Sequence, residues 1–295
     1  MISVVARGLA LLALTALSTL AQAAAGLAGL PRADAVPGGV ALVELGTLLD
    51  YSEAPKVRFG ERPVWVTMRD GRYIAVVGLP LDTSVGMQTL QIVAPAGTHA
   101  LNFAVADKRY PEQRIQLKDK GKVNLSPADE QRAVAEIARI GELKKYWREA
   151  KDTDAAFTLP SQGRLSSRFG LRRFFNGEAR APHAGLDVAV PRGTPVGSVA
   201  PGKVLAVDDY FFNGKTVFVD HGNGLLSMVC HLDRIDVRPG DAVTRGQLLG
   251  LSGMTGRASG PHVHWSVVLN GAMVDPALFL PAERRFTALR QPMRS

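Results

Sequence analysis

Regular helical periodicity occurs in one segment of this 295-residue chain, and the sequence on both sides of it consists of short strand-like runs separated by glycine turns. The segment begins at Ser126, a typical N-cap, with Pro127 at the first helical position and Asp129 three residues after the cap. Apolar residues then recur at helical spacing, namely Ala133, Ile137, Ile140, Leu143 and Trp147. We expect this helix to end near Lys151 and to connect two β-rich units, which makes the predicted fold class all-β.

The N-terminal unit, residues 38–124, contains a strong hairpin signal. Asp70-Gly71 stands between two β-rich runs in VWVTMRDGRYIAVVG, and Asp-Gly is a preferred pair for a two-residue hairpin turn. Further along, Leu101, Phe103 and Val105 alternate with less apolar residues, as in a strand with one buried face. The pattern predicts a small β-sandwich-like domain. It contains no cluster of candidate ligands, so we interpret it as a scaffold or binding module.

The first 23 residues match a signal peptide. Arg7 supplies the positive charge, and the apolar run from Leu9 to Leu20 is shorter than the ~20 residues that a spanning helix needs. Ala21-Gln22-Ala23 fits an A-x-A cleavage site. We therefore expect an exported or periplasmic protein with no stable membrane span after cleavage.

Composition narrows the range of partners. The formal net charge is +8, or +7 without Arg7, which favours an anionic surface such as a cell envelope. No run rich in Lys and Arg with interleaved aromatic residues is present, so we expect no nucleic-acid partner. The single cysteine, Cys230, cannot form an internal disulfide, and stability must therefore come from packing.

Five of the six histidines lie between residues 183 and 264, and two of them stand one residue apart in SGPHVHWSVV. In a strand the side chains at i and i+2 point to the same face. His262 and His264 are therefore expected to project together, away from Val263 and Trp265. Two imidazoles on one face can serve a single centre, although an isolated H-x-H pair is weak evidence.

A second candidate lies in PHAGLDVAV, where a loop enters a strand. Asp187 is expected to face away from Leu186 and Val188, and a carboxylate flanked by buried residues is costly unless it is paired or bound to a cation. His183, on the incoming loop, is placed to bind the same cation. From this segment alone, an exposed Asp on a half-solvated strand remains an equal alternative.

The third candidate is His231 in SMVCHL. Its neighbour Cys230 should point to the opposite face of the strand, so the two side chains cannot meet as a cysteine-peptidase pair. His221 lies in the turn-like sequence DHGNG and is expected to be exposed and without a role.

Together these motifs resemble the zinc metallopeptidases of the M23 family, of the lysostaphin and LytM type. The resemblance rests on His183-x-x-x-Asp187, His231-Leu232 and Gly260-Pro261-His262-Val263-His264, in that order. Flanking sequences such as HAGLDVAVPRGTPV, APGKVLAV and GAMVDP agree with it, and it covers about residues 160–280. It implies a C-terminal antiparallel β peptidase domain that hydrolyses peptide bonds in bacterial peptidoglycan.

The resemblance also implies a role for each candidate residue. His183, Asp187 and His264 would hold one Zn²⁺ per chain, with a coordination position left open for water, as in catalytic rather than structural zinc sites. His231 and His262 would orient the water, accept its proton and stabilise the developing charge.

The expected organisation and substrate follow from this reading. The segments are a signal peptide (1–23), a flexible lead-in (24–37), the N-terminal β-domain (38–124), the connector helix (125–154), the zinc peptidase domain (155–283) and a basic tail (284–295). The expected partner is the stem-peptide cross-link of peptidoglycan, with D-Ala–diaminopimelate favoured over a glycine bridge. Asn176 and Arg180 are guesses for an additional transition-state donor.

Two alternative hypotheses remain open. A catalytically silent M23-like regulator of cell-wall amidases would share the fold but typically lacks part of the zinc set, whereas all five positions are present here. VRPGDAVTRGQLLG also resembles lipoyl and biotinyl carrier domains, yet no lysine that could be modified follows Lys215. Whether a regulatory protein partner exists is left open.

Overall fold

The computed structural model describes residues 29–51, 53–94, 97–115, 126–175, 177–179 and 181–281. The predicted signal peptide, the basic tail, Asn176 and Arg180 lie outside these residues. Within the described ranges, no helix combines the length and the apolar character that a membrane crossing needs.

The N-terminal unit is a six-stranded antiparallel sheet. Its strands are β1 (Val40–Thr47), β2 (Lys56–Phe59), β3 (Arg62–Arg69), β4 (Arg72–Gly78), β5 (Gly86–Ala94) and β6 (Gly97–Val105). They pair in the order β1-β4-β3-β2-β5-β6, and all six contribute buried side chains to one core. The predicted hairpin is confirmed: Asp70 and Gly71 join β3 to β4 with φ of 50° and 75°, and positive φ at both positions is what a type I′ turn requires.

The connector helix, α1 (Pro127–Lys144), begins where the sequence predicts. The Ser126 hydroxyl accepts a hydrogen bond from the Asp129 amide at 3.1 Å, which caps the first turn. The predicted end near Lys151 is wrong, because α1 ends at Lys144. Beyond it the backbone bonds to a turn of the C-terminal unit, with the Asn223 amide donating to the Arg148 carbonyl at 2.6 Å, so tertiary contacts override the local periodicity.

The C-terminal unit is built on a ten-stranded antiparallel sheet. A short strand from the N-terminal unit, β7 (Glu112–Ile115), belongs instead to a separate three-stranded sheet, in which it pairs with β9 (Arg172–Phe175) and β9 pairs with β10 (Glu178–Ala179). The strands that follow α1 are β8 (Arg164–Ser167), β9 (Arg172–Phe175), β10 (Glu178–Ala179), β11 (Leu186–Ala189), β12 (Pro195–Gly197), β13 (Gly202–Tyr210), β14 (Gly214–Gly222), β15 (Leu225–Ile235), β16 (Ala242–Val243), β17 (Leu248–Ser252), β18 (Val263–Leu269) and β19 (Ala272–Val274). A 3₁₀ helix, Pro276–Phe279, follows β19.

The order of the large sheet is β16-β13-β14-β15-β18-β11-β8, with β12, β17 and β19 paired at its margins. This order brings together β15, β18 and β11, which are distant in sequence and carry His231, His264 and Asp187. Trp265 and Val267 on β18 are fully buried in the core beneath them. The all-β prediction is confirmed.

The two units share an apolar core and direct hydrogen bonds. Trp65 of the N-terminal sheet belongs to the same buried cluster as Trp265. The buried Asn270 side chain accepts from the Gly78 amide at 2.6 Å and donates to the Gly78 carbonyl at 3.1 Å. The described part of the predicted lead-in also makes specific contacts, since the Arg32 amide donates to the Leu278 carbonyl at 2.8 Å.

Candidate active site

Three of the predicted site residues converge on one point. Asp187 and His264 face each other as cross-strand partners on β11 and β18, and His183 arrives on the loop before β11. The Asp187 Oδ1 atom lies 3.0 Å from His183 Nε2 and 2.8 Å from His264 Nδ1, and the two nitrogens are 3.0 Å apart. The three side chains are only 10% to 13% exposed.

Close backbone packing brings the loop against the strand. The His183 amide and carbonyl bond to the Leu171 carbonyl and the Gly170 amide, at 3.0 and 2.8 Å. Two residues later the chain passes directly over the His264 ring. A Cβ atom at Gly185 would stand 2.5 Å from the Trp265 carbonyl oxygen and 2.7 Å from the His264 ring, so only glycine fits there without displacement.

The outer hydrogen bonds of the two imidazoles determine which of their nitrogens carries a proton. His183 Nδ1 lies 2.8 Å from the Arg168 carbonyl oxygen, which can only accept, so Nδ1 is the protonated nitrogen. His264 Nε2 lies 2.8 Å from Ser266 Oγ, whose own proton goes to the Ala184 carbonyl at 2.8 Å. His264 Nε2 is therefore the donor, and the neutral rings direct lone pairs from His183 Nε2 and His264 Nδ1 towards Asp187.

The charge states agree with this arrangement. Burial raises the pKa of Asp187, whereas a hydrogen-bond donor or positive charge at the positions of the facing His183 and His264 nitrogens lowers it well below its usual range, so the carboxylate form is favoured by a cation beside it. Burial lowers the pKa of His264 and favours the neutral ring, although the negative charge of Asp187 acts in the opposite direction. At neutral pH the cluster therefore contains a carboxylate beside a neutral His264 imidazole.

Such a cluster fits a cation. The lone pairs of His183 Nε2, Asp187 Oδ1 and His264 Nδ1 lie within 3.0 Å of one another, and the protons of the two rings point away from this cluster. The three atoms therefore repel one another unless a positive charge is bound between them. Two imidazole nitrogens and one carboxylate oxygen form a common catalytic Zn²⁺ ligand set. Tetrahedral bonds of about 2.0–2.1 Å would separate the ligands by about 3.3 Å, so a small outward movement accommodates the ion.

The remaining two histidines of the predicted site lie beside this cluster. The His231 and His262 rings are 4.7 Å apart between centroids, and His262 Nε2 is 3.8 Å from Asp187 Oδ1. Their Nδ1 atoms lie 2.9 and 2.8 Å from the carbonyl oxygens of Thr255 and Gly260. In the neutral rings the Nδ1 atoms are thus the donors, and both Nε2 atoms are free to accept a proton.

His231 has two further distinctive properties. Burial lowers its pKa to about 4, which keeps the ring neutral near pH 7. Its φ is 61°, a left-handed conformation that is rare for a residue with a side chain, and it occurs where the pairing of β15 with β14 is irregular. This bend turns His231 towards the site.

The structure separates Cys230 from the site, as the sequence predicts. Its thiol is fully buried in a cluster with Tyr210, Phe218 and Met228, and burial raises its pKa to about 11. A neutral thiol on the opposite face of the strand cannot act as a nucleophile with His231.

The expectation for His221 is wrong. It lies at the end of β14 and is 3% exposed rather than solvated. Its Nδ1 donates to the Pro201 carbonyl at 2.8 Å, and its Nε2 pairs with Ser227 Oγ at 2.9 Å. The DHGNG turn begins only after this residue, at Asn223, because β14 continues two residues further than turn chemistry suggested.

Sequence reasoning missed Ser266 and Thr255, which fix the rings of His264 and His231. A signal for Ser266 was present, since His262, just before β18, and His264 and Ser266 within it follow a period of two. Thr255 gave no comparable signal, because it acts through a backbone carbonyl brought close by the fold.

A buried carboxylate and two imidazoles with converging lone pairs, on an antiparallel sheet, define a metal centre of the hydrolytic kind. The profile of Peptidase family M23 matches residues 181–276, and that of the M23 N-terminal domain matches residues 33–108. A solved structure from Pseudomonas aeruginosa assigned to peptidase M23 is 43% identical, with a TM-score of 0.69, covering 84% of this chain and 95% of that one. The chain belongs to Peptidase family M23.

Curated relatives are similar over part of their length. Peptidoglycan DD-endopeptidase ShyA of Vibrio cholerae serotype O1 is 40% identical over 120 residues, which are 40% of this chain and 28% of ShyA. DD-carboxypeptidase/endopeptidase Mpg of Neisseria meningitidis serogroup B is 35% identical over 113 residues, 38% of this chain and 26% of Mpg. The chain thus matches about a quarter of the length of these relatives.

Proposed function

We propose that this protein is an exported zinc-dependent endopeptidase that hydrolyses peptide cross-links of bacterial peptidoglycan. The observation that carries the proposal is the convergence of three lone-pair atoms from His183, Asp187 and His264, with two proton-accepting imidazoles alongside. The names of ShyA and Mpg support a DD-endopeptidase reaction, for which the expected bond is D-Ala–diaminopimelate.

His183 Nε2, Asp187 Oδ1 and His264 Nδ1 would hold the ion. Zn²⁺ bound there supplies Lewis-acid chemistry, acidifying a water molecule and polarising the scissile carbonyl. The protein contributes the orientation of its ligands, because Ser266 and the Arg168 carbonyl lock the two rings in the tautomers that expose these nitrogens.

His231 and His262 would move the proton. Each ring is anchored through Nδ1 to a backbone carbonyl, which leaves Nε2 as the accepting atom. His262 Nε2 lies 3.8 Å from Asp187 Oδ1, a short distance that supports a role for His262 in proton transfer at the cluster. A ring that has accepted a proton can return it to the leaving amine, so the pair serves as base and then as acid.

The site geometry favours this reading over a silent amidase regulator. Such a regulator has no need for two protein-anchored imidazoles with free Nε2 atoms beside a ligand cluster. Here all five side chains are present, and four of them keep 10% to 17% of their surface exposed to solvent. The periplasmic location remains part of the proposal and follows from the predicted signal peptide and the wall substrate.

Digestion of purified sacculi tests the proposal. Wild type, His264→Ala and His99→Ala are compared, each with and without chelator, and the released fragments are identified by mass. His99 provides the matched control because it lies on β6 of the N-terminal sheet, where its ring stacks on Tyr51. We expect fragments cut at D-alanyl cross-links from wild type and His99→Ala, no cleavage by His264→Ala, and inhibition by the chelator.

Undiminished cleavage by His264→Ala would contradict the proposed ligand set. A wild-type protein that neither binds zinc nor cuts cross-links would favour the silent regulator instead.

A further inference from the structure

The turn between β13 and β14 holds the backbone of His231. The His231 amide donates to the Asn213 carbonyl at 2.9 Å, and the Asn213 side chain donates to the Cys230 thiol at 3.4 Å. The same turn binds the loop that anchors the His231 ring, since the Arg257 amide donates to the Phe212 carbonyl at 2.9 Å. The turn and that loop therefore enclose His231 from two sides.

His231 needs this support because of its backbone conformation. A residue with a side chain at φ of 61° is strained, by about 1–3 kcal/mol for sparsely populated conformations, and it persists only where its surroundings impose it. The two bonds that impose it come from Asn213 and Thr255. A shift of the turn would let His231 relax and would move Nε2 away from the ligand cluster.

Helix α1 braces this turn through Glu136. The Phe211 amide, at the start of the turn, donates to Glu136 Oε2 at 2.6 Å. Arg132 fixes the carboxylate from the same helix at 2.7 Å and also donates to the Asp209 carbonyl at 2.9 Å. The Glu136 side chain is 19% exposed, so its bond to the turn is largely shielded from water.

We propose that Glu136 is a positioning residue for His231, acting through the turn at residues 211–213. This rests on the proposed function, in which His231 accepts a proton. The bond from Glu136 holds Phe211, the turn holds Asn213, and the Asn213 carbonyl holds the His231 amide. A helix outside the peptidase sheet thus contributes to the geometry of its active site.

The helix should stay in place without this carboxylate. Ile140 and Leu143 pack against the buried cluster of Tyr210, Phe218 and Cys230, and Arg139 pairs with Asp208 at 2.7 Å. Removing Glu136 therefore releases the turn rather than detaching the helix.

Three variants of the full chain test the proposal. Glu136→Ala removes the acceptor, whereas Glu136→Gln loses the charge but keeps an oxygen that can accept from Phe211. Glu142→Ala makes the same charge change on the same helix, where the carboxylate only pairs with Lys145 at the exposed surface. The readouts are amide hydrogen exchange at Phe211 and His231, measured by NMR, and the kcat and KM for cross-link hydrolysis.

We expect Glu136→Ala to accelerate amide exchange at Phe211 and His231. It should also lower kcat about tenfold and leave KM within about twofold of wild type, because a charge-assisted hydrogen bond that aligns a catalytic group is lost. Glu136→Gln should restore most of the exchange protection and of kcat, and Glu142→Ala should match wild type.

Unchanged amide exchange at His231 or an unchanged kcat in Glu136→Ala would overturn the proposal. An equal loss of exchange protection and of kcat in Glu142→Ala would also overturn it. If wild type cuts no cross-link, the proposed function fails independently, and the exchange pattern alone then decides whether Glu136 positions His231.

Discussion

Replacing Ser266 by alanine should weaken zinc binding without touching a ligand atom. Ser266 is fully buried, accepts from His264 Nε2 and donates to the Ala184 carbonyl, both at 2.8 Å. Without Ser266, the buried His264 N–H and the buried Ala184 carbonyl have no hydrogen-bond partner. The His264 ring can then take the other tautomer, in which Nδ1 carries the proton and cannot bind a metal.

The expected magnitude follows from these two bonds. Loss of an outer partner of a metal-binding histidine typically lowers metal affinity by 10- to 100-fold, about 1.4–2.8 kcal/mol. The unpaired groups should cost a further ~1–3 kcal/mol in the free energy of unfolding. Zn²⁺ affinity is measured by competition with a chromophoric chelator, and stability by urea denaturation of the metal-free protein.

Ser227→Ala provides the matched control. Ser227 is buried and pairs with His221 Nε2 at 2.9 Å, so the substitution removes the same type of bond from a histidine outside the site. It should lower the free energy of unfolding by a similar amount but leave Zn²⁺ affinity at the wild-type value. Equal affinities in Ser266→Ala and Ser227→Ala would refute the idea that Ser266 sets the tautomer of His264.

Two further perturbations have defined outcomes. Burial lowers the pKa of His221 to about 4 from an unfolded value of 6.5, so the unfolded chain takes up the extra proton first as pH falls. Between pH 6.5 and about 4, the free energy of unfolding of wild type relative to His221→Gln should therefore fall by about 3 kcal/mol in urea denaturation. A difference between the two proteins that does not change with pH would contradict the assignment. Gly185→Ala should reduce Zn²⁺ affinity and should lower the free energy of unfolding by about 2 kcal/mol or more, because the added Cβ would stand 2.5 Å from the Trp265 carbonyl oxygen. Wild-type values of both quantities in calorimetry would exclude the predicted clash.

Strand periodicity carried most of the site prediction. It placed His262 and His264 on one face and Asp187 away from Leu186, because alternation along a strand needs no knowledge of the neighbouring strands. It could not show by itself that β11, β18 and β15 are adjacent, since that pairing joins segments far apart in sequence. The family resemblance supplied the missing association.

The errors have a common physical origin in tertiary contacts. Turn residues after His221 suggested exposure, yet the ring fills a buried position where the Pro201 carbonyl and Ser227 satisfy both nitrogens. Helical periodicity extended to Trp147, yet the chain leaves the helix earlier to bond with the turn at Asn223. The link from Glu136 to Phe211 is equally invisible in sequence, because the two residues are joined only when α1 packs on the sheet.

Whether His183, Asp187 and His264 bind one ion can be measured by calorimetric zinc titration of the chelator-treated protein, with wild type, His264→Ala and His262→Ala compared. We expect one Zn²⁺ per chain for wild type and for His262→Ala, which retains all three ligand atoms. His264→Ala should bind zinc about 100-fold more weakly or worse, because it loses one of three protein ligands. Equal zinc affinity in wild type and His264→Ala would contradict this expectation, because the lone pairs of His183, Asp187 and His264 would then not be converging on an ion.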